Sequence, residues 1–322
     1  MIRLEQPSAP RPAPLAAVPL PTMLRRQRKR WLDAYQRCRR KLSKKAVHDL
    51  RVQSRRLLAV LGLARIVLPH REVDPIVRAL RSRIKRFGRL RDVQIQRGLV
   101  KSLAPRRKDV QPMARFLKQR EARQTRRLAK ELEEGGTRKL HRELTRLEKA
   151  LEHAGKDSSR SRRQAHRILA AVEAAFRQVK SRRHRVRADQ PATLHQTRMA
   201  FKRFRYMVEA LQKVLPGATR ERIRAMQAFQ TRLGEIQDVE VLLQRVEKYV
   251  ARHAAEAERL EAFQVRAAQR LTELIRRQVT SMDELDQFWP LPSATIQLPG
   301  NHRRRTVARS ARRILKAHPL PG

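Results

Sequence analysis

The sequence predicts an all-α protein. From Met23 onward, apolar residues recur every three or four positions almost throughout, which is the spacing of one helix face. The sustained alternation of Val, Ile and Thr with polar residues that is typical of strands is missing. Prolines, glycine pairs and polar stretches divide the pattern into segments of helical length.

The chain-breaking residues set the predicted helix boundaries. Residues 1–22 contain six prolines, which interrupt any apolar run, so we interpret this segment as a disordered leader and not as a secretory signal. Pro69 closes one helical segment, and Pro75 lies where the first turn of the next helix should start. We predict a short helix at about 137–153, and eight longer ones at about 23–42, 46–68, 75–102, 110–134, 159–187, 192–215, 219–248 and 250–285.

Two pairs of segments repeat at nearly the same offset. Val47–Leu57 resembles Leu194–Phe204, because a His, an Arg at +3, a base at +7, an Arg at +8 and an apolar residue at +9 recur. Phe87–Val93 resembles Leu233–Val239 in its Gly and in its Asp-Val pair. The offsets are 147 and 146 residues. Two matches at one offset predict a duplicated unit, and therefore two related helical bundles.

The charge balance predicts a polyanionic partner. There are 77 Lys and Arg against 30 Asp and Glu, a formal net charge of +47, so most bases cannot be neutralised within the chain. A single cysteine, Cys38, excludes an intramolecular disulfide framework and a multi-thiolate metal site. No apolar run reaches the roughly 18 residues of a membrane helix. We expect a cytoplasmic protein without a cofactor.

The first repeated motif predicts a cationic stripe on each of two helices. At about 100° per residue, the His, the Arg at +3 and the base at +7 share one face, while the apolar residues share another. Only Asp49 and Glu209 lie close enough in sequence to offset the repulsion between these bases. The stripes consist of His48, Arg51 and Arg55 in the first copy and His195, Arg198 and Lys202 in the second, flanked by Arg56 and Arg203.

The second repeated motif places a glycine inside each helical pattern. Gly88 and Gly234 each cost about 1 kcal/mol relative to Ala, and the close approach of another helix would explain them. We expect Asp92 and Asp238 to cap or pair locally. Four further bases could reach the same anion, namely Lys85, Arg86, Arg91 and, in the second copy, Arg232.

These motifs resemble the CHAD domain, the conserved histidine α-helical domain. The resemblance rests on His48-Asp-Leu-Arg-x3-Arg-Arg-Leu57 and on Leu194-His-x2-Arg-x3-Lys-Arg-x-Arg-Tyr206, each followed by Gly-x-(Leu/Ile)-x-Asp-Val, and it covers about residues 23–285. It implies two four-helix bundles, at about 23–135 and 159–289, related by a pseudo-two-fold axis around a basic central groove or pore.

The resemblance also implies a function. CHAD proteins bind inorganic polyphosphate, and some localise to polyphosphate granules. The expected ligand-facing residues are then the two stripes with their flanking bases, together with Arg205, whose first-copy equivalent is Leu58. Residues 23–289 would form the CHAD domain and residues 290–322 a basic tail.

Two other functions remain open from the sequence. A net charge of +47 attracts RNA and DNA as well, although only 13 aromatic residues are present to stack on bases. An enzyme is disfavoured, because neighbouring His48 and Asp49 point about 100° apart on a helix and no other acid–base dyad or metal-ligand cluster is visible.

Overall fold

The computed structural model describes residues 18–104 and 106–291. This part of the chain folds into α-helices joined by short turns, with two 3-10 segments, one isolated β-bridge and no strand, as predicted. The helices are α1 (Leu20–Arg40), α2 (Lys44–Val67), α3 (His70–Leu103), α4 (Gln111–Glu134), α5 (Arg138–Ala154), α6 (Ser158–Arg183), α7 (Pro191–Leu211), α8 (Arg220–Val250) and α9 (Ala257–Thr280).

Side-chain caps explain where several helices begin. Ser43 precedes α2, Asp157 precedes α6 and Thr219 precedes α8. In each case the side-chain oxygen accepts a hydrogen bond from a backbone N–H of the first turn, which satisfies a donor that the helix leaves unpaired. The local sequence therefore determines where α2 and α8 begin.

The prediction that Pro75 starts a helix was wrong. Helix α3 begins at His70, and Pro75 lies inside it with its ring exposed. Proline at this position removes one backbone hydrogen bond. Burial of Val73 and Ile76 on the inner face offsets that loss and keeps the extra turn helical.

The predicted helix at 250–285 is also divided. The chain turns after α8, forms a 3-10 segment at Ala254–Glu256 and then continues as α9, followed by a second 3-10 segment at Met282–Phe288. The ring of His253 stacks on Tyr249 at 4.3 Å, and its Nδ1 lies 2.9 Å from the Tyr249 carbonyl oxygen. These contacts hold the turn that interrupts the helix.

The short additional helix is present as α5 and packs on α1. Glu148 of α5 is buried, and its carboxylate pairs with Arg25 and with Arg28, the latter at 3.0 Å. Helix α1 also packs along α2, so α5 supports α2 through α1.

Four helices occupy the centre of the molecule. Helices α1 to α4 pack in succession, and so do α6 to α9. The two halves meet where α2 packs against α6 and α7, and where α3 packs against α8. One hydrophobic core, including Leu57, Leu61, Phe201 and Phe229, runs through both halves. Both copies of each repeated motif therefore lie on the central helices α2, α3, α7 and α8, while the pseudo-two-fold relation itself stays a prediction.

The described chain begins and ends on packed residues. Leu20 is buried at the start of α1, so residues 20–22 of the predicted leader belong to the first helix. Trp289 and Leu291 are buried at the other end, where the Trp289 ring meets Phe204 edge-on at 5.9 Å. The remaining parts of the predicted leader and tail, 1–17 and 292–322, lie outside the described residues.

Candidate anion-binding site

Five bases on α2, α3 and α7 lie within electrostatic reach of one another, and we refer to them as the central basic cluster. They are Arg51 and Arg55 on α2, Arg91 on α3, and Arg198 and Lys202 on α7. All are half-buried. Within the described chain none of the five forms an ion pair within 4 Å. The fold thus gathers like charges without direct neutralisation.

Lys202 shows the electrostatic consequence most clearly. Burial, followed by repulsion from Arg55 and Arg198, lowers the pKa of its ammonium group from 10.5 to about 7. A lysine in this position is therefore only partly protonated at neutral pH. An anion that entered the cluster would restore its charge.

Arg51 is held over the glycine of the second motif. A β-carbon placed on Gly88 would lie 2.8 Å from Nη1 of Arg51, so only glycine leaves room for the guanidinium group there. That Nη1 atom is buried and has no hydrogen-bond partner among the described residues. Burial, with Arg55 as the next cause, lowers the pKa of Arg51 to about 10. The side chain is thus desolvated and has unused donor capacity.

Arg198 lies against the second glycine in the same way but less tightly. A β-carbon on Gly234 would lie 3.6 Å from its Nη2, an ordinary contact distance, and its Nε is buried without a hydrogen-bond partner in the described chain. Burial lowers the pKa of Arg198, partly against the opposing charge of Asp238. We expected another helix to approach these glycines closely, and the structure shows an arginine side chain from the neighbouring helix against each one, tightly at Gly88 and at ordinary contact distance at Gly234. The two repeated motifs are thus in contact in each half.

Two carboxylates lie among these bases, and sequence reasoning underestimated them. Desolvation raises the pKa of Asp92 and of Asp238, while Arg51 opposes the first shift and Arg198 the second. Asp92 also raises the pKa of Asp238, so the two groups are within electrostatic reach of each other. Neither forms an ion pair or hydrogen bond within the described residues, which differs from the local pairing we expected. Their identical place in the repeat was the signal that could have assigned them to the site.

The two repeated histidines are exposed but are not equivalent. Partial desolvation and the guanidinium group of Arg91 lower the pKa of His48, against the effect of Asp49. His195 instead bonds through Nδ1 to the side-chain oxygen of Gln237.

The Gln237 amide nitrogen donates to Glu240 at 3.1 Å, which fixes the orientation of the amide. His195 Nδ1 is therefore the donor to Gln237, and its Nε2 is directed away from this contact.

Two predicted ligand residues are neutralised by the fold. Arg205 is 4 % exposed and pairs with Glu209 at 2.7 Å, while its Nε donates to Gln230 and its guanidinium group covers the ring of Tyr206 at 4.0 Å. Arg56 reaches the other oxygen of the same carboxylate, with its Nε 2.8 Å away. One carboxylate thus ties α2 to α7 through both arginines.

Of the remaining four predicted bases, two are also paired. Arg86 lies 3.5 Å from Glu131, and Arg232 pairs with Glu284. Lys85 and Arg203 are exposed and form no ion pair with a described residue. The structure therefore separates the eleven sequence-predicted lysines and arginines into five that form the central basic cluster, four that are paired with a carboxylate, and two that are exposed without an ion pair in the described chain.

The central basic cluster offers hydrogen-bond donors and positive charge. Guanidinium groups donate to phosphate or carboxylate oxygens in planar pairs, and an ammonium group adds a point charge. In the described chain no three His, Cys, Asp or Glu side chains are grouped to hold a metal ion. Nor does any described helix combine the length and apolarity that a membrane crossing requires.

Comparison with known proteins identifies the fold. The crystal structure of the CHAD domain from the plant Ricinus communis superposes with a TM-score of 0.54 and 19 % identity, covering 88 % of this chain and 96 % of that one. PptA from Streptomyces chartreusis superposes with a TM-score of 0.52 and 16 % identity, covering 84 % of this chain and 100 % of its own. No curated protein matches the sequence significantly.

At these identities the superpositions establish a shared fold alone. The sequence itself carries the family assignment, because residues 22–247, more than two thirds of the chain, match the profile of the CHAD domain. This range includes both copies of the His–Arg motif and of the Gly–Asp motif. The resemblance noted in the sequence is therefore confirmed, and the chain belongs to the CHAD domain family.

Proposed function

We propose that this protein binds inorganic polyphosphate, without catalysis, in a groove lined by the central basic cluster, His48 and His195. One observation carries the proposal. Buried nitrogens of Arg51 and Arg198 lack partners in the described chain, at a place where five bases are gathered. Leaving such donors unpaired costs about 1 to 3 kcal/mol each. A ligand rich in phosphate oxygens removes that cost, and the family is linked to polyphosphate binding in general.

The form of the cluster suits polyphosphate better than nucleic acid. Single-stranded nucleic acids are held largely by bases that stack on exposed aromatic rings. All 13 aromatic residues of this chain lie in its described part, and none is exposed. Polyphosphate has no bases to stack and needs only dense donors. We therefore place nucleic acid second.

Competition binding tests this proposal. Labelled long-chain polyphosphate is titrated with the protein at physiological salt, and unlabelled polyphosphate or tRNA is then added at equal total charge. We expect polyphosphate to displace the label far more effectively than tRNA does. We also expect the logarithm of the association constant to fall linearly with the logarithm of the salt concentration. Equal displacement by tRNA would refute the proposal and favour the nucleic-acid function.

A matched pair of double variants locates the site. Arg51→Ala with Arg198→Ala removes two half-buried arginines, each with one buried nitrogen that has no partner in the described chain, whereas Arg126→Ala with Arg127→Ala removes two exposed ones from α4. Both variants lose the same charge. We expect the first to weaken polyphosphate binding on the order of 100-fold, from about 1.5 kcal/mol per charge-assisted bond, and the second only slightly. Equal losses would show that binding depends on diffuse charge.

Two finer parts of the proposal have their own tests. With Mg²⁺ present, we expect no release of orthophosphate from polyphosphate. In cells that accumulate polyphosphate, we expect a fluorescent fusion of the full chain to collect in cytoplasmic granules, and the double variant in the central basic cluster to remain dispersed. Release of phosphate would contradict the first expectation, and equal granule recruitment of the variant would contradict the second.

A further inference from the structure

A largely apolar cleft lies beside the central basic cluster. This apolar cleft, of about 710 Å³, is bounded by residues of α2, α3, α6 and α7. Its wall is formed mainly by Leu58, Ile66, Ile84, Met199 and Met207. Its volume is within the usual range for small-molecule sites.

The apolar wall is accessible to solvent. Met199 is 47 % exposed, one of the few large apolar side chains of the described chain that are so open. Leu58, Ile66 and Ile84 pack on the core but are only partly buried. Apolar surface of this kind, gathered in a concave site, is typical of a binding surface. The wall therefore favours a ligand with a hydrocarbon body.

The rim of the apolar cleft is basic. Arg55 and Lys202 line it at the side shared with the central basic cluster, and Arg81 and Arg203 line it elsewhere. None of these four forms an ion pair within the described residues. Arg65, which also lines the cleft, is paired with Asp74 at 2.8 Å. The rim therefore favours an anionic head group.

A smaller cleft nearby contains a carboxylate, and the apolar cleft does not. The cavity of about 310 Å³ lined by Arg56 and Tyr206 also contains Glu209, which neutralises Arg56. No acid lines the apolar cleft, and Gly62 on its α2 wall has nothing within 4 Å of the position that a β-carbon would take. Arg203 thus faces a cleft without a carboxylate. The larger cleft has both the space and the unbalanced charge that the smaller one lacks.

We infer that the apolar cleft binds an amphiphilic organic anion, an alkyl chain carrying a phosphate or carboxylate head. The chain would lie on the wall of Leu58, Ile84 and Met199, and the head would meet Arg203 and its neighbours on the rim. Charge disfavours two other occupants, because residues 292–322 carry bases and no acid and a second copy of the chain carries the same charge of +47. The cleft shares Arg55 and Lys202 with the central basic cluster, but polyphosphate has no apolar part to lie on the wall, so a dependence on alkyl-chain length tests this inference separately from the proposed function.

Calorimetric titration of the full chain with butyl, hexyl and octyl phosphate tests the site. Each added methylene that is buried on the wall contributes about 0.8 kcal/mol, so affinity should rise about fourfold per methylene. Inorganic phosphate is the control for the head group alone. Octanoate in place of octyl phosphate distinguishes the two head groups. Affinity that did not depend on chain length would overturn the inference, because only charge would then be recognised.

The variant Gly62→Leu tests whether the alkyl chain binds in this cleft. The new side chain fills the cleft from α2 without changing any charge. The matched control is Gly98→Leu in α3, because Gly98 is also an exposed helical glycine with nothing within 4 Å of its β-carbon position. We expect the chain-length dependence to disappear in the first variant and to persist in the second.

Polyphosphate binding by both glycine variants is measured in parallel and should be unchanged. A Gly62→Leu variant that kept the fourfold increments would overturn the inference, whatever happened to polyphosphate. Should this variant fail to fold, by circular dichroism, the chain-length series on the unmodified protein still decides the question.

Discussion

Replacing Lys202 with methionine should stabilise the free protein and weaken its binding of polyphosphate. The folded protein lowers the pKa of this lysine from 10.5 to about 7, first by burial and then through Arg55, Arg198 and Arg51. At about 1.36 kcal/mol per pKa unit, holding the charge in this site costs at most about 5 kcal/mol. The side chain is partly exposed, so solvent screening reduces the cost, and we expect a gain in unfolding free energy of about 1 to 3 kcal/mol at pH 7.

The dependence on pH has a defined sign. Below pH 7 both the folded and the unfolded chain carry the proton on Lys202, and the full cost is present. Between about pH 7 and pH 10.5 the folded protein releases the proton while the unfolded chain keeps it, so this residue makes stability rise with pH. Arg51, with its pKa lowered to about 10, titrates at the upper end of the same window. The difference between the unmodified protein and the Lys202→Met variant isolates the lysine.

Urea unfolding at pH 6, 7, 8.5 and 9.5 measures the effect, with Lys118→Met on the exposed face of α4 as the control. The stabilisation by Lys202→Met should shrink as the pH rises, and the control should show neither the gain nor the trend. In parallel, polyphosphate affinity at pH 7 should fall on the order of tenfold in the Lys202 variant. A variant that lost stability, or whose gain did not change with pH, would refute the argument that Lys202 is an uncompensated charge.

Three further outcomes are expected. Gly88→Ala should displace the flexible end of Arg51 and weaken polyphosphate binding several-fold, whereas Gly234→Ala should leave binding unchanged and stabilise its helix by about 0.5 to 1 kcal/mol, as titration and urea unfolding would show. Glu209→Gln should cost about 3 kcal/mol in urea unfolding, because it leaves two paired arginines without their carboxylate, whereas Glu247→Gln at an exposed position should cost little. Long-chain polyphosphate at 100 times its Kd should add about 2.7 kcal/mol of stability and raise the melting temperature, and an unchanged melt would contradict binding to the folded state.

The positions of the helices followed from local features of the sequence. Apolar spacing, caps such as Ser43 and breaks such as Gly135 act within a few residues, so they can be recognised without the fold. The start of α3 could not be recognised in this way. There, the burial of Val73 and Ile76 against other helices outweighs the helix-breaking effect of Pro75, and burial depends on partners distant in the chain.

The candidate site could be predicted only in part. The repeated motif identified Arg51, Arg55, Arg198 and Lys202 because spacing alone puts them on one face of each helix. It could not show that Arg205 is buried against a carboxylate, since helical spacing places it one turn from Glu209 but does not say which way the fold turns the pair. The position of Asp92 and Asp238 among these bases was missed for the same reason.

The sequence by itself determined that this protein is helical, strongly cationic and built around two pairs of repeated motifs. Those properties are sums over composition or patterns within single helices. Only the tertiary structure decided which bases pair with a carboxylate and which form no ion pair among the described residues. The carboxylate that neutralises Arg56 lies 153 residues away, and the glycine that makes room for Arg51 lies on another helix. Electrostatic and steric effects act over a few ångströms in space, and it is the packing of α2, α3, α7 and α8 that brings these groups within that distance.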